Sequence, residues 1–208
     1  DPEYNIRMRP AWEVQRAAYV RAAHSKRQLR EMVVNFWHAH FNVMGTDFSA
    51  GPVFVHYDRD VIRANATGNF RVMLEAVASS TSMLYYLDNL NNSRAGPNEN
   101  FARELLELHT LGVDNYLGFM DPFLVPKCPE DPAYPIGYTD IDVYETSAAF
   151  TGWSAKNGHW QFPNENDGTF VYRQSWHDAG PKFLLGMMIY PEQPALKDGR
   201  DVLDRLAS

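Results

Sequence analysis

The sequence predicts a mainly α fold: a helical bundle-like domain with a Pro-rich loop and a small β-hairpin or meander near residues 153–178. Three observations carry that prediction. Apolar side chains recur at i, i+3, i+4 and i+7 through residues 29–41 and again through 70–90, the period of a helix with one buried face. Residues 98–112 are bracketed by a capping Asn98 after Pro97 and a terminating Gly112. Strand-type alternation of aromatic and turn residues is confined to 153–178.

Taken in order, residues 11–44 read as helix with a break near Ser25. The stripe Leu29, Met32, Val33, Phe36, Trp37, His40, Phe41 forms its apolar face. Residues 45–69 contain Gly45, Gly51, Pro52 and Gly68 and read as loop with a short helix. A helix from about Phe70 to Leu90 turns Met73, Leu74, Val77 and Ala78 to one side. Residues 91–97 are a turn-rich connector into the 98–112 helix. There Phe101, Leu105 and Leu108 share a face, and Arg103 and Glu107 lie opposite as an i,i+4 ion pair.

Prolines at 122, 126, 129, 132 and 135 forbid a continuing helix or central strand, so residues 116–136 are an inserted Pro-rich surface or docking loop. Thr139 caps a helix running from about Asp140 to Thr151, with Asp142 completing a capping box and Gly152 ending it. Residues 183–190 read as a core segment interrupted by Gly186, and a last helix begins near Gly199 or Arg200. The reading is of a single domain over 1–208, and of a piece of a longer chain, since no initiator Met is present and a helical pattern is still running at Leu206.

Composition excludes several classes. With 45% hydrophobic and 22% charged residues the chain is large enough for a real core. Its net charge of −7 is uneven: residues 1–30 carry a balance of +4 and the remainder −11. An acidic total argues against a binder of nucleic-acid backbones. No apolar run approaches the length of a membrane span. One cysteine, Cys128, rules out an internal disulfide framework. There is no G-x-S-x-G elbow, no phosphate-binding P-loop and no G-x-G-x-x-G.

Four constellations carry chemistry. His38 and His40 lie two apart, so on a helix their rings diverge; periodicity places His40 in the apolar stripe and His38 almost opposite. His40 is then the buried imidazole. It is either a core histidine bonded to backbone or a neighbouring carboxylate, or, with His109 and Glu107, a member of a candidate metal set suited to a divalent transition metal such as zinc or iron. On the 98–112 helix, Glu104 and Glu107 at i,i+3 either share a cation, set up an acid/base pair in which neighbouring carboxylates push one pKa upward, or simply face water. Asn98, Asn100 and Arg103 cluster at that helix's N-terminus, either as ligand-binding groups or as caps tying down the Asp140–Asp142 turn. Finally, His177 and Asp178 stand in an aromatic-rich loop, where Trp153, Trp160 and Trp176 either line a groove or pack a small core. Asp178 also suits a turn in which it bonds its own backbone two residues on. Catalytic candidates are therefore Glu104, His109, His177 and Asp178; ligand-binding candidates are Asn98, Asn100, Arg103, Trp153 and Trp176.

Six separated segments also carry a family resemblance: F-W-H-A-H-F-N-V (36–43), L-Y-Y-L-D-N (84–89), N-E-N-F-A-R-E-L-L-E-L-H-T-L-G (98–112), G-Y-T-D-I-D-V-Y-E (137–145), A-F-T-G-W (149–153) and H-D-A-G-P-K-F-L-L-G (177–186). In that order the chain, from about residue 12 to 208, resembles the bacterial family called domain of unknown function 1800. The long insertion before G-Y-T departs from the family's simplest pattern. The resemblance implies a mainly α fold, a periplasmic or extracellular location, and no assigned reaction or cofactor. Two functional readings follow. One is an exported binding or assembly component of a larger extracytoplasmic complex, whose partner is another protein or the remainder of its own chain. The alternative is a hydrolase, with or without a metal's assistance, with a His/Glu site between helices.

Overall fold

The computed structural model describes residues 2–208. They divide into two compact units: unit 1 runs to Leu87 and includes Ala155–Phe170, and unit 2 comprises Asp88–Ser154 and Val171–Ser208. The fold is mainly α with two small two-stranded sheets.

Unit 1 opens with α1 (Pro2–His24) and α2 (Gln28–Phe41), separated at the expected break. Ser25 Oγ accepts the Arg27 N–H at 3.0 Å, and the Gln28 amide donates to the carbonyls of Ala22 and Ser25 at 3.0 and 2.9 Å. Those bonds occupy carbonyls that the end of α1 leaves without helical partners. Part of the apolar stripe expected on α2 faces outward instead: Leu29, Met32 and Phe36 are 74%, 69% and 57% exposed, Val33, Trp37 and His40 are half-buried, and its last member, Phe41, is buried, as is Val34 outside the stripe. Periodicity finds a stripe but does not choose which neighbour covers it, and here α1 and the 57–65 segment pack on the Val34 side.

Residues 51–65 are far more helical than expected. A 3-10 turn, Gly51–Val53, leads into α3 (Phe54–His56), a π-turn (Tyr57–Ile62) and α4 (Arg63–Asn65). Pro52 sits in the first turn, where a missing N–H costs nothing. Gly51 is there for contact: a Cβ would stand 2.8 Å from the Met8 methyl. The helix expected over 70–90 is two, α5 (Phe70–Ala78) and α6 (Thr81–Tyr86). The break is a cap, Ser80 accepting from the Met83 N–H at 3.3 Å. Met73, Leu74, Val77 and Ala78 are buried together, as the pattern predicts.

In unit 2, α7 (Glu99–Glu104) continues into a second π-turn, Leu105–Thr110. Asn98 caps α7 and Gly112 ends the run at φ +90°. The π-turn shifts the register of the last turn, so Leu108 is 56% exposed and His109 takes the buried position. α8 (Asp140–Ala149) begins with the expected capping box, Thr139 with Asp142. β1 (Trp153–Ala155) pairs with β2 (Phe170–Tyr172), in the stretch where strands were expected.

The segment read as uniform core around 183–190 is a hairpin: β3 (Lys182–Leu184) runs antiparallel to β4 (Met187–Ile189), with Leu184 opposite Met187. Its two-residue turn, Leu185-Gly186, has both φ angles positive, the conformation that matches strand twist. α9 (Lys197–Leu206) closes the described chain. The Pro-rich loop is ordered by backbone bonds, among them Cys128 N–H to Tyr134 O and Ile136 N–H to Pro126 O, each at 2.8 Å.

Candidate functional site

Unit 1 holds a groove of about 550 Å³ walled by α1 and α2. Trp12, Val14, Ala18, Tyr19, Met32 and Phe54 give it apolar sides, and Glu31, His38, Asp58 and Arg63 bring polar groups to its lining. Each comes from a helical element that fixes its position: Glu31 and His38 one face of α2, Asp58 the inward side of the π-turn, Arg63 the start of α4.

These polar groups form one network. His38 Nε2 is 2.9 Å from Asp58 Oδ1. The Arg63 Nε–H reaches both Asp58 oxygens, at 3.2 and 3.1 Å, and its Nη2 donates to Glu31 at 2.6 Å. Arg21 adds a longer ion pair, Nη1 lying 3.8 Å from Asp58 Oδ2. Burial pushes the Asp58 carboxyl upward, but the His38 hydrogen bond and the Arg63 and Arg21 charges outweigh it and hold the group below the usual carboxylate range. The hydrogen bond from Arg63 likewise depresses Glu31. With Asp58 ionised, the Nε2 hydrogen belongs to the His38–Asp58 bond, so a neutral ring carries its lone pair on Nδ1. That nitrogen is neither buried nor hydrogen-bonded.

Sequence reasoning placed His40 in the interior and His38 opposite it; in the structure both are half-buried, and His38 is the one that bonds Asp58 and lines the groove. His40 is half-buried among aromatics, stacked on Phe36 at 5.9 Å and edge-on to Trp37 and Phe41. The polar partner falls to His38 because His38 shares a side of α2 with the buried Val34. Among the described residues no three His, Cys, Asp or Glu side chains gather in a way that holds a metal ion, so His40, His109 and Glu107 form no ligand set. His40 belongs to unit 1 and the other two to unit 2.

In unit 2 the other candidates divide. Glu104 and Glu107 are half-buried on α7 and its π-turn, and burial followed by the Glu107 charge raises the Glu104 carboxyl above its ordinary range. Tyr138, fully buried with an unbonded hydroxyl, is pushed up to about 12 by burial and then by Glu107. His109 is buried at the π-turn. Arg103 does not pair with Glu107; it bonds Glu99 at 3.1 Å and Asp140 at 3.2 Å, tying α7 to the first turn of α8. Asn98 is a cap, accepting from the Asn100 N–H at 2.9 Å, and the Asn100 residue is exposed. Trp153 is a core residue at 1% exposure, edge-on to Phe150, and lines no open groove. Trp176 is half-buried under the Arg173 guanidinium, 5.5 Å from its ring centre; Trp160, which belongs to unit 1, is 79% exposed.

His177 and Asp178 are neighbours that do not bond each other. Asp178 Oδ1 accepts the Gly180 N–H at 2.8 Å, the turn its position suggests. The true partner of His177 is Asp198, 3.2 Å from Nε2, with the Thr151 carbonyl 2.9 Å from Nδ1. Lys182 completes the cluster, donating to Asp198 at 2.9 Å and to the carbonyls of Asp178 and Gly180 at 2.6 and 3.0 Å. Burial raises the Asp198 carboxyl, yet the bonds from His177 and Lys182 bring it below the ordinary range. Asp58 and Asp198 meet their histidines 20 and 21 residues away, and Arg63 meets Asp58 at i,i+5 across the π-turn, so none shows an α-helical or strand spacing in the sequence.

The family model described as "Protein of unknown function (DUF1800)" matches residues 3–208. No curated protein and no solved structure matches the chain.

Proposed function

We propose, for a chain that belongs to the DUF1800 family of proteins of unknown function, that it is a binding component whose working site is the α1–α2 groove of unit 1. The observation that carries this reading is the groove itself: about 550 Å³, with apolar walls and a compact polar network that includes His38. That volume falls in the range of roughly 300–1,000 Å³ typical of small-molecule sites, which are built in the same way. Two carboxylates of the groove's lining (Glu31, Asp58) are matched by two guanidiniums, Arg63 in the lining and Arg21 outside it but paired with Asp58. Their charges cancel, so the fitting ligand has an apolar body and a neutral polar head. An extracytoplasmic setting and a place in a larger assembly, both implied by the family resemblance, belong to the same proposal.

The test is fluorescence titration with N-phenyl-1-naphthylamine, a neutral hydrophobic probe. It binds, and 1-decanol displaces it better than decanoate or decylammonium does. Ala18 lines the groove from an exposed position on α1, so Ala18→Trp fills the space without disturbing a core. That variant keeps its far-ultraviolet circular dichroism and loses at least tenfold in probe affinity, about 1.4 kcal/mol. Unchanged affinity in Ala18→Trp rejects the groove as the site.

A further inference from the structure

The groove contains more than a binding site needs. His38, a residue of the groove lining, donates from Nε2 to a buried carboxylate and keeps Nδ1 unbonded and unburied. A histidine oriented by a carboxylate through one nitrogen and open at the other is the arrangement of a general base. Arg63 stands beside it, because both bond the same Asp58 oxygen. Its Nε and Nη2 are engaged by Asp58 and Glu31, and its Nη1 amino group has no acceptor in the structure. A guanidinium donor in the same polar network as a base can stabilise negative charge developing on a carbonyl oxygen. The carboxylate Asp58 is a positioning residue: it fixes which nitrogen of His38 carries the hydrogen.

We infer that the groove hydrolyses carboxylic esters of medium-chain acyl groups, with His38 as the general base. This rests on the binding reading above. The acyl chain lies along the Trp12, Tyr19 and Met32 walls, and the ester carbonyl lies at the polar network. A water attacks the carbonyl carbon and gives its proton to His38 Nδ1; the carbonyl π electrons move to oxygen, which faces Arg63. Collapse re-forms the carbonyl and breaks the bond to the leaving oxygen, which departs with that electron pair and takes the proton from Nδ1. The products are an acid and an alcohol, and no oxidant, metal or covalent intermediate enters the balance. A neutral ester head also matches the cancelled charges of the site.

The experiment uses the 208-residue chain and p-nitrophenyl esters of two to ten carbons, with N-phenyl-1-naphthylamine binding measured in parallel. The expected result is release of p-nitrophenol above buffer, with kcat/KM rising with acyl length, slower turnover in deuterium oxide, and no acyl adduct by mass spectrometry. His38→Gln, which keeps a donor toward Asp58, loses about 10²-fold or more in kcat while it still binds the probe. Added imidazole restores part of the activity of His38→Ala, a response that a merely structural histidine does not give. Probe binding without ester turnover, turnover unchanged in His38→Gln, or an acyl adduct on the chain overturns the inference and leaves the binding reading standing. Absence of probe binding removes both.

Discussion

Lys182→Met will lower the unfolding free energy by about 3–5 kcal/mol, the usual cost of breaking one side of a buried ion pair. The Lys182 side chain is 1% exposed and the Asp198 side chain 2%. The ammonium has three oxygen acceptors, and they come from the 177–180 turn and from the first turn of α9. Removing it leaves a buried carboxylate with His177 as its remaining partner, and one Asp198 oxygen already lacks a hydrogen bond. Urea unfolding followed by circular dichroism reads the loss. Adding Asp198→Leu to Lys182→Met should recover part of it, because the double variant buries no uncompensated charge. A single-variant loss under about 1 kcal/mol would show that the cluster is not what fastens β3 to α9.

The same geometry separates two histidines that look alike in the sequence. His177 has oxygen on both sides of its ring, Thr151 at Nδ1 and Asp198 at Nε2, and is 5% exposed. No nitrogen remains for a substrate, so its bonds join the end of α8 to the start of α9. His38 has one nitrogen bound and one open beside a cavity. A proton acceptor needs an available lone pair within reach of the reacting group, and only the second arrangement provides it.

What the sequence made legible was local. Asn98 and Thr139 with Asp142 act at short range through their own backbone, and each stands where its chemistry predicts. Gly152 was read as ending α8, but the helix stops at Ala149 and Gly152 lies in the following turn, its N–H bonded to Asn92 O. Asp178 was legible as a turn residue for the same short-range reason as the caps. The two π-turns were not, since a one-residue register change leaves apolar spacing nearly intact; that shift moved Leu108 outward and His109 inward. The choice between His38 and His40 depends on which side of α2 the neighbouring helices cover, a tertiary fact that 3.6-residue periodicity does not hold. Asp58 and Asp198 were invisible because their partners stand 20 and 21 residues away.

Asp58→Ala will cost about 3–5 kcal/mol at pH 7 and much less in acid. At neutral pH the Asp58 carboxylate, its side chain 8% exposed, holds His38 and Arg63 directly and draws in Arg21, so its removal leaves a half-buried guanidinium short of a counter-charge. Its folded pKa is depressed relative to the unfolded chain, as is that of Asp198. Each therefore contributes stability that is fully present above the unfolded carboxylate range, about pH 4, and is lost as pH falls through the lower folded value. Glu104 and Glu145 have raised values and act in the opposite sense: their contribution is full below the unfolded range and fades as pH rises through the folded value. Urea midpoints measured from neutral pH down to about pH 3 should then show the gap between wild type and Asp58→Ala closing in acid. A gap that stays constant would mean that Asp58 is not held as a carboxylate, and the tautomer assigned to His38 would fall with it.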